Sequence, residues 1–220
     1  MLSRREYAVT TFRFGAATVI EATVTRDAAV ANAWVRCLRD SHHHHHHHHV
    51  PLLVALDCKW VHHHHHRATT KQHPGRVAVL LLCSGGSCLV LQLLYARRVP
   101  ECLHRLLLDP AVRLVGVGDE AAARLAADHG IACAAAVDLE GPCRDYLRRG
   151  KGEGEGQGQD GPLLGLKGCA EKVLGLTMKR PANIVDSDWE KRELDVAQVR
   201  FACFDAYVAY RIGEQVLGRE

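Results

Sequence analysis

The chain has 220 residues, of which 47% are apolar and 24% charged, and its net charge is +3 with histidine neutral. This length and apolar content are typical of one soluble domain with a core large enough to fold alone. No apolar run approaches the ~20 residues of a membrane span, and residues 1–11 lack the apolar stretch of a signal peptide. We therefore expect an intracellular protein, in the nucleus, the cytoplasm or both, that does not contact a membrane. The mild charge excess neither requires nor excludes a polyanionic partner.

The first half of the chain starts with a strand and a helix and then becomes rich in strands. The predicted elements are, in chain order, a strand at 17–24, a helix at 28–38, a strand at 51–56, and strands at 77–83 and 88–94. The run 51–56 is continuously apolar, as in a strand buried on both faces, so Asp57 is expected at the end of that strand. Gly85 and Gly86 separate the last two strands and predict a hairpin, so part of the sheet should be antiparallel.

The second half of the chain alternates between helices and strands. It predicts a helix at 100–108, a strand at 113–117, a helix at 120–129 that Gly130 closes, a strand at 131–139, and helices at 163–174 and 196–217. Residues 151–161 alternate glycine with polar residues and predict a disordered loop. Hairpin strands followed by α/β alternation and a long last helix predict a three-layer α/β domain with a mixed central sheet flanked by helices.

The nine cysteines are scattered through apolar segments, and no two of them form a CxxC pair. We interpret them as buried free thiols rather than disulfides. Because the paired spacing is missing, we expect neither a zinc ribbon nor a thioredoxin-type site.

Thirteen of the sixteen histidines form two uninterrupted runs, at 42–49 and 62–66. Imidazole is a good ligand for Zn²⁺ and Ni²⁺, so the runs could bind metal. The interpretation that we favour is a low-complexity repeat in two surface loops.

Several short segments occur together in an order that points to one family. They are Leu56 to Trp60, Gln92 to Leu94, Val115 to Gly118, Arg124 to Gly130, Val137 to Leu139, Gly165 to Lys167 and, near the end, Trp189, Leu194, Gln198 and Phe201 to Tyr207. The first resembles the Leu-Asp-x-Glu-Trp motif of Werner-type 3'-5' exonucleases in plants, and the last resembles their Tyr-Ala-x-x-Asp-Ala motif. The resemblance covers about residues 18–218.

The resemblance implies a ribonuclease-H-like fold and 3'-5' hydrolysis of nucleic acid, DNA or RNA, with Mg²⁺ or Mn²⁺. Hydrolysis with two metal ions needs several carboxylates that converge on one point. Asp57 and Asp205 match the first and last aspartates of the family, so they are the expected catalytic and metal-binding residues. We expect them to lie close together at one end of the sheet.

The remaining positions of the family's site depart from its pattern. Lys59 stands at the glutamate position, Ala121 at the second-motif aspartate and Phe201 at the tyrosine. Asp119 or Glu120 could replace the second aspartate if the helix start is shifted. The ammonium of Lys59 either pairs with Asp57 or Asp205, as a substitute cation, or turns to solvent. Because carboxylates and the tyrosine hydroxyl are lost, we expect the exonuclease activity to be weak or absent.

The expected organisation is an N-terminal extension at 1–17 and an exonuclease-like domain at 18–218, with low-complexity insertions at 42–49, 62–66 and 151–161. Two other functions stay open. One is a non-catalytic module that binds nucleic acid or protein, and the other is a histidine-rich metal-binding protein. The sequence does not predict an oligomeric state.

Two further features allow both a functional and a structural interpretation. A set of basic residues could line a phosphate track, although a solvated charged surface explains it as well: Arg97, Arg98, Arg105, Arg124, Arg148, Arg149 and Lys151. Trp60 could stack on a nucleotide or belong to the core.

Overall fold

A computed structural model describes residues 7–45, 50–61, 75–118, 120–134, 136–150 and 162–218, with the backbone only at His45. The histidine run at 62–66, the glycine tract at 151–161 and Asp119 lie outside the described residues. Among the residues described, no helix is both long and apolar enough to cross a membrane.

The described residues form seven strands and seven helices. The strands are β1 (Tyr7–Phe14), β2 (Thr18–Thr25), β3 (Leu52–Trp60), β4 (Val77–Ser84), β5 (Ser87–Gln92), β6 (Val112–Gly116) and β7 (Ala136–Asp138). The helices are α1 (Ala28–His45), α2 (Glu101–Leu108), α3 (Glu120–His129), α4 (Glu140–Arg149), α5 (Gly165–Leu174), α6 (Ala182–Val185) and α7 (Val196–Leu217).

All seven strands belong to one sheet, in the order β1-β2-β5-β4-β3-β6-β7. The pairs β1–β2, β5–β4 and β4–β3 are antiparallel, and the pairs β2–β5, β3–β6 and β6–β7 are parallel. One core packs α4, α5 and α7 on one face of the sheet, and a second core packs α1, α2 and α3 on the other. The predicted three-layer α/β fold with a mixed sheet flanked by helices is therefore confirmed.

The strands β4 and β3, in the middle of the sheet, are buried because helices cover both of their faces. In β4, every residue from Val77 to Cys83 is buried. The strand β3 is longer than predicted and continues to Trp60, so the expectation that Asp57 lies at a strand end was wrong. The strand continues past the first charge because Asp57 and Lys59 point to the same face and pair with each other.

The hairpin between β4 and β5 turns at Gly85 and Gly86, as predicted, and Gly85 has a φ of 57°. The register places Cys83 directly opposite Cys88, with their Cα atoms 4.2 Å apart, and a disulfide joins them. The expectation of free thiols was wrong for this pair, because cross-strand neighbours are set by the turn and not by apolar context. The other seven cysteines are free.

The strand β1 was not predicted, and it lies in the segment that the sequence assigned to an N-terminal extension. It forms the edge of the sheet and packs two aromatic side chains on α7. The Phe14 ring centroid is 5.2 Å from that of Phe204 and 5.0 Å from that of Tyr207, and Phe12 is also buried. An edge strand with one exposed face has too little apolar alternation to stand out in the sequence.

The helices also differ from prediction in three places. The helix α1 extends to His45, so the first histidine run begins inside a helix and not in a loop, which corrects that interpretation. The helix α4 was missed because Gly141 and Pro142 indicate a turn, but the first turn of a helix tolerates proline. The short helix α6 was missed too, and β7 has three residues where the sequence predicted a strand at 131–139.

Candidate active site

Two elements supply four of the side chains that the sequence singled out. Asp57 and Lys59 are two residues apart on β3 and therefore face the same side of the sheet. Phe201 and Asp205 are four residues apart on α7, which puts them one turn apart on the same helical face. Because α7 packs across β3, these two pairs meet.

The ammonium of Lys59 lies between the two aspartates. Its Nζ is 2.7 Å from Asp57 Oδ2 and 3.2 Å from Asp205 Oδ2. The side chains of Lys59 and Asp205 are 10% and 3% exposed, whereas that of Asp57 is 31% exposed. Asp57 Oδ1 also accepts a hydrogen bond from the backbone N–H of Cys58. Of the two interpretations of Lys59, pairing with the aspartates is therefore the one observed.

A second cation, Arg180, was missed by sequence analysis. Its Nη2 is 3.2 Å from the same Asp205 Oδ2 that contacts Lys59. Arg180 lies in the connection between α5 and α6, immediately before Pro181 at the N-cap of α6. A basic residue in a connection carries no periodic signal, so only the path of the chain brings it to the site.

Aromatic rings form one wall around these charges. Lys59 Nζ is 5.1 Å from the ring centroid of Phe201 and 5.9 Å from that of Trp189. The guanidinium carbon of Arg180 is 5.4 Å from the Phe201 centroid. Both cations are therefore within the range of cation–π attraction to Phe201, which adds to the stability of the cluster.

The charge state of the buried pair follows from its neighbours. Burial disfavours the ammonium of Lys59, but the carboxylates of Asp57 and Asp205 outweigh it and raise the pKa of Lys59 above its ordinary value. Burial raises the pKa of Asp205, and the ammonium of Lys59 and the guanidinium of Arg180 oppose that effect. With two cations 3.2 Å from one carboxylate oxygen, the geometry supports the ionised pair at neutral pH.

The carboxylates of this cluster do not fit a pair of divalent metal ions. The charges of Asp57 and Asp205 are balanced by those of Lys59 and Arg180, and Asp205 Oδ2 is already shared by both cations. Two dications close together require an excess of negative oxygen ligands. In the part of the chain that the structure describes, no group of three or more His, Cys, Asp or Glu residues could hold a metal ion.

The position of the second-motif aspartate offers no replacement carboxylate. Ala121 lies in the first turn of α3 and lines a cavity of about 290 Å³ together with Gly116, Gly118 and Asp138. Asp138 Oδ1 accepts hydrogen bonds from the backbone N–H groups of Gly118 and Glu140. Within the described contacts, none joins Glu120 to Asp57 or Asp205, and Asp119 lies outside the described residues.

The other candidates from the sequence lie away from this cluster. Trp60 packs against the core on the opposite face of the sheet, which favours its structural interpretation. The basic residues are spread over several elements and several of them are paired, as in Arg105 with Glu101, Arg124 with Asp128 and Arg148 with Asp145. This distribution is typical of a solvated surface. Lys151 lies outside the described residues.

No protein-family model matches the chain. Two curated proteins are similar to it, both named exonuclease 3'-5' domain-containing protein 2. The protein from Drosophila melanogaster is 28% identical over 166 residues, which is 74% of this chain and 25% of that protein. The protein from Mus musculus is 28% identical over 170 residues, which is 76% of this chain and 24% of that protein. The chain therefore spans about a quarter of the length of these relatives.

Solved structures are similar in fold. The EXD2 exonuclease domain soaked in Mn is 22% identical, covers 90% of this chain and 89% of its own, and has a TM-score of 0.49. Escherichia coli RNase D, an exoribonuclease involved in structured RNA processing, is 16% identical over 89% of this chain and 44% of its own, with a TM-score of 0.61. A nuclease in its apo form is 19% identical over 76% of this chain and 72% of its own, with a TM-score of 0.55. The chain thus shares its fold with the RNase D structure and with the apo nuclease.

Proposed function

We propose that this chain is a 3'-5' exonuclease-like domain that acts on or binds nucleic acid, DNA or RNA. The fold and the similarity to 3'-5' exonuclease-domain proteins support this function class. We further propose that its metal-dependent hydrolysis is weak or lost, and that it diverged from Werner-type enzymes. If catalysis survives, Mg²⁺ or Mn²⁺ is the cofactor that the remaining aspartates, Asp57 and Asp205, would require.

The observation that carries the proposal of impaired hydrolysis is the position of the Lys59 ammonium between Asp57 and Asp205. A lysine in place of a glutamate changes the local charge by two units. A single charge–charge interaction at about 4 Å with an effective dielectric constant of about 20 amounts to roughly 4 kcal/mol. Arg180 adds a second cation on Asp205. Both cations oppose the approach of a dication.

Phe201 supports the same conclusion independently. It stands where the resemblance places a tyrosine, and a phenyl ring has no hydroxyl to orient a water molecule. Its ring instead lies beside the two cations. We therefore expect the loss of a water-positioning group in addition to the loss of metal ligands.

The direct test is degradation of a 5'-labelled oligonucleotide with Mg²⁺ or Mn²⁺, read on a sequencing gel. We expect little or no 3'-5' shortening by the unchanged protein. A gel shift with the same oligonucleotide, DNA and RNA in turn, measures binding apart from hydrolysis. Rapid metal-dependent shortening would contradict the proposal of an impaired site, and a protein that neither cleaves nor shifts any oligonucleotide would contradict the function class.

Restoring the site tests whether the missing groups explain the impairment. The variant combines Lys59→Glu, Ala121→Asp, Phe201→Tyr and Arg180→Gln, so that the family's carboxylates and hydroxyl return and both cations leave. Because groups that act as a unit are strongly non-additive, we expect Lys59→Glu alone to remain nearly inactive. The combined variant should shorten the oligonucleotide well above the unchanged protein. If it folds, binds Mn²⁺ and still leaves the oligonucleotide intact, the missing groups are not the cause.

A further inference from the structure

The cations at the site have more hydrogen-bond donors than the aspartates use. An ammonium has three donors, and Lys59 gives two of them to Asp57 and Asp205. A guanidinium has five N–H donors in a planar fork, and the described ion pair of Arg180 engages Nη2 with Asp205. The cluster is therefore electrically balanced but still rich in donors.

The side chains of the cluster differ in their access to solvent. The side chain of Lys59 is 10% exposed and that of Asp205 is 3% exposed, whereas that of Arg180 is 32% exposed. The inner part of the cluster is thus closed, and its outer part consists of Arg180 and of Asp57, which is 31% exposed. A group that arrives from solvent meets the guanidinium and a carboxylate whose charge is balanced by the Lys59 ammonium at 2.7 Å.

Two neighbours make Arg180 suitable for an anionic ligand. The ring of Phe201 lies 5.4 Å from the guanidinium carbon, which limits the orientations of that side chain. Lys179 is exposed next to it in the chain, and no hydrogen bond or ion pair is described for it, so its charge adds to the attraction for an anion. Guanidinium binds phosphate through two parallel hydrogen bonds, more specifically than an ammonium does.

We propose that this site binds a phosphate group of a nucleic-acid strand without any divalent metal ion, through Arg180 with support from Lys179 and Lys59. The inference rests on the proposed function, because it specifies how nucleic acid is held at the same site. In a two-metal site, dications neutralise the carboxylates and hold the phosphate. Here the two side-chain cations neutralise Asp57 and Asp205, and the donors that remain hold the phosphate.

The test measures binding of a 5'-labelled single-stranded oligonucleotide by fluorescence anisotropy, in EDTA and then in Mg²⁺. We expect the dissociation constant to be unchanged by EDTA. Arg180→Gln removes the guanidinium from a partly exposed position and should weaken binding roughly tenfold or more, as expected for the loss of charge-assisted hydrogen bonds. Lys179→Gln should weaken it less, because an exposed lysine acts mainly as a point charge.

The matched control is Arg105→Gln, which makes the same charge change on α2. Arg105 is exposed and α2 packs on the opposite face of the sheet, so this variant should bind as the unchanged protein does. The slope of the logarithm of affinity against the logarithm of salt concentration should fall in magnitude by about 0.7, the value for one phosphate contact to a single strand, for Arg180→Gln and stay the same for Arg105→Gln. Melting curves establish that both variants are folded.

Three outcomes are distinguishable. Metal-independent binding that Arg180→Gln weakens and Arg105→Gln does not supports the inference. Binding that EDTA abolishes, or that Arg180→Gln leaves at the level of Arg105→Gln, overturns it while the proposed function stands. Failure of the unchanged protein to bind any oligonucleotide, with or without metal, overturns the proposed function itself.

Discussion

The Lys59 ammonium keeps two carboxylates together that would otherwise repel each other. Asp57 and Asp205 both lie within 3.2 Å of its Nζ, and Asp205 is almost completely buried. Buried charges are tolerated when they are paired and hydrogen-bonded, and they are costly when one partner is removed. The residue that opposes metal binding is therefore also expected to stabilise the fold.

The first prediction concerns this stabilising role. Lys59→Met should lower the free energy of unfolding by about 3 kcal/mol, because it leaves Asp205 buried with fewer partners. Arg180 still pairs with Asp205, so we expect a stability loss at the low end of the range measured when one partner of a buried ion pair is removed. Urea unfolding monitored by circular dichroism measures the change. Lys172→Met, at an exposed position on α5, is the control and should change stability by less than about 0.5 kcal/mol. Equal losses in both variants would contradict the prediction.

The second prediction gives the pH dependence of that effect. The pKa of Lys59 is raised in the folded protein, because the two carboxylates outweigh burial. Its contribution is therefore fully present below the ordinary lysine pKa of about 10.4 and is lost only as pH rises through the higher folded value. The stability difference between the unchanged protein and Lys59→Met should stay constant from neutral pH to about pH 9. A difference that disappears within this interval would show that the ammonium is not held by the aspartates.

The third prediction distinguishes the effects of Lys59 and Arg180 on metal binding. Lys59→Glu alone should improve Mn²⁺ binding only partly, because Arg180 still occupies Asp205. Adding Arg180→Gln should improve it further. Isothermal titration calorimetry with Mn²⁺ measures both, and Lys59→Gln with Arg180→Gln is the control that removes the cations without adding a carboxylate. If Lys59→Glu alone binds Mn²⁺ as tightly as the double variant, Arg180 does not restrict the site.

Among the elements, α7 carries Asp205 into the site, and β1 packs on α7. The helix α7 begins with a capping box of two hydrogen bonds. The Asp195 carboxylate accepts one from the backbone N–H of Gln198, and the side-chain oxygen of Gln198 accepts the other from the backbone N–H of Asp195. This cap fixes the residue at which the helix starts, and therefore which face of α7 turns toward the sheet with Asp205. The edge strand β1 covers the same helix with Phe12 and Phe14.

The fourth prediction tests β1 as a structural part of the domain. Phe12→Ala should destabilise the protein by about 3 kcal/mol, because Phe12 is 9% exposed and packs on Phe204. Val9→Ala on the same strand is the control, since Val9 is 54% exposed and should contribute little. Thermal melting of both variants gives the comparison. If Phe12→Ala melts as Val9→Ala does, β1 is not packed on α7.

Across the whole molecule, apolar segments form the packed domain, whereas polar segments without apolar side chains add little to its stability. Two cores, one on each face of the sheet, hold the buried apolar residues among those described. The tract 151–161 lies outside the described residues, between α4 and α5, and its sequence has no apolar side chain to bury. Segments of that composition contribute mainly closure entropy.

The fifth prediction follows from that composition. Replacing 151–161 by a Gly-Ser linker of about half the length should change stability by no more than about 0.6 kcal/mol, which is the expected entropy change for a twofold difference in loop length. Differential scanning calorimetry measures the melting temperature. A scrambled tract of the same composition is the control and should melt as the original does. A fall of many degrees in either variant would show that the tract packs on the domain.

The sequence by itself determined those features that depend on neighbouring residues. The Gly85-Gly86 hairpin, the helix from Glu120 closed by Gly130 and the bounds of α7 were predicted, because turn residues, caps and apolar periodicity act within a few positions. The motif residues Asp57, Lys59 and Asp205 were identified differently, through the resemblance of their segments to the motifs of Werner-type 3'-5' exonucleases.

Only the tertiary structure decided which charges meet. Arg180 reaches Asp205 through the path between α5 and α6. The choice of Lys59 between solvent and the aspartates was open in the sequence and depends on α7 covering β3. Local patterns specify the elements, whereas contacts between distant residues are fixed by the order of the strands and by the packing of the helices on them.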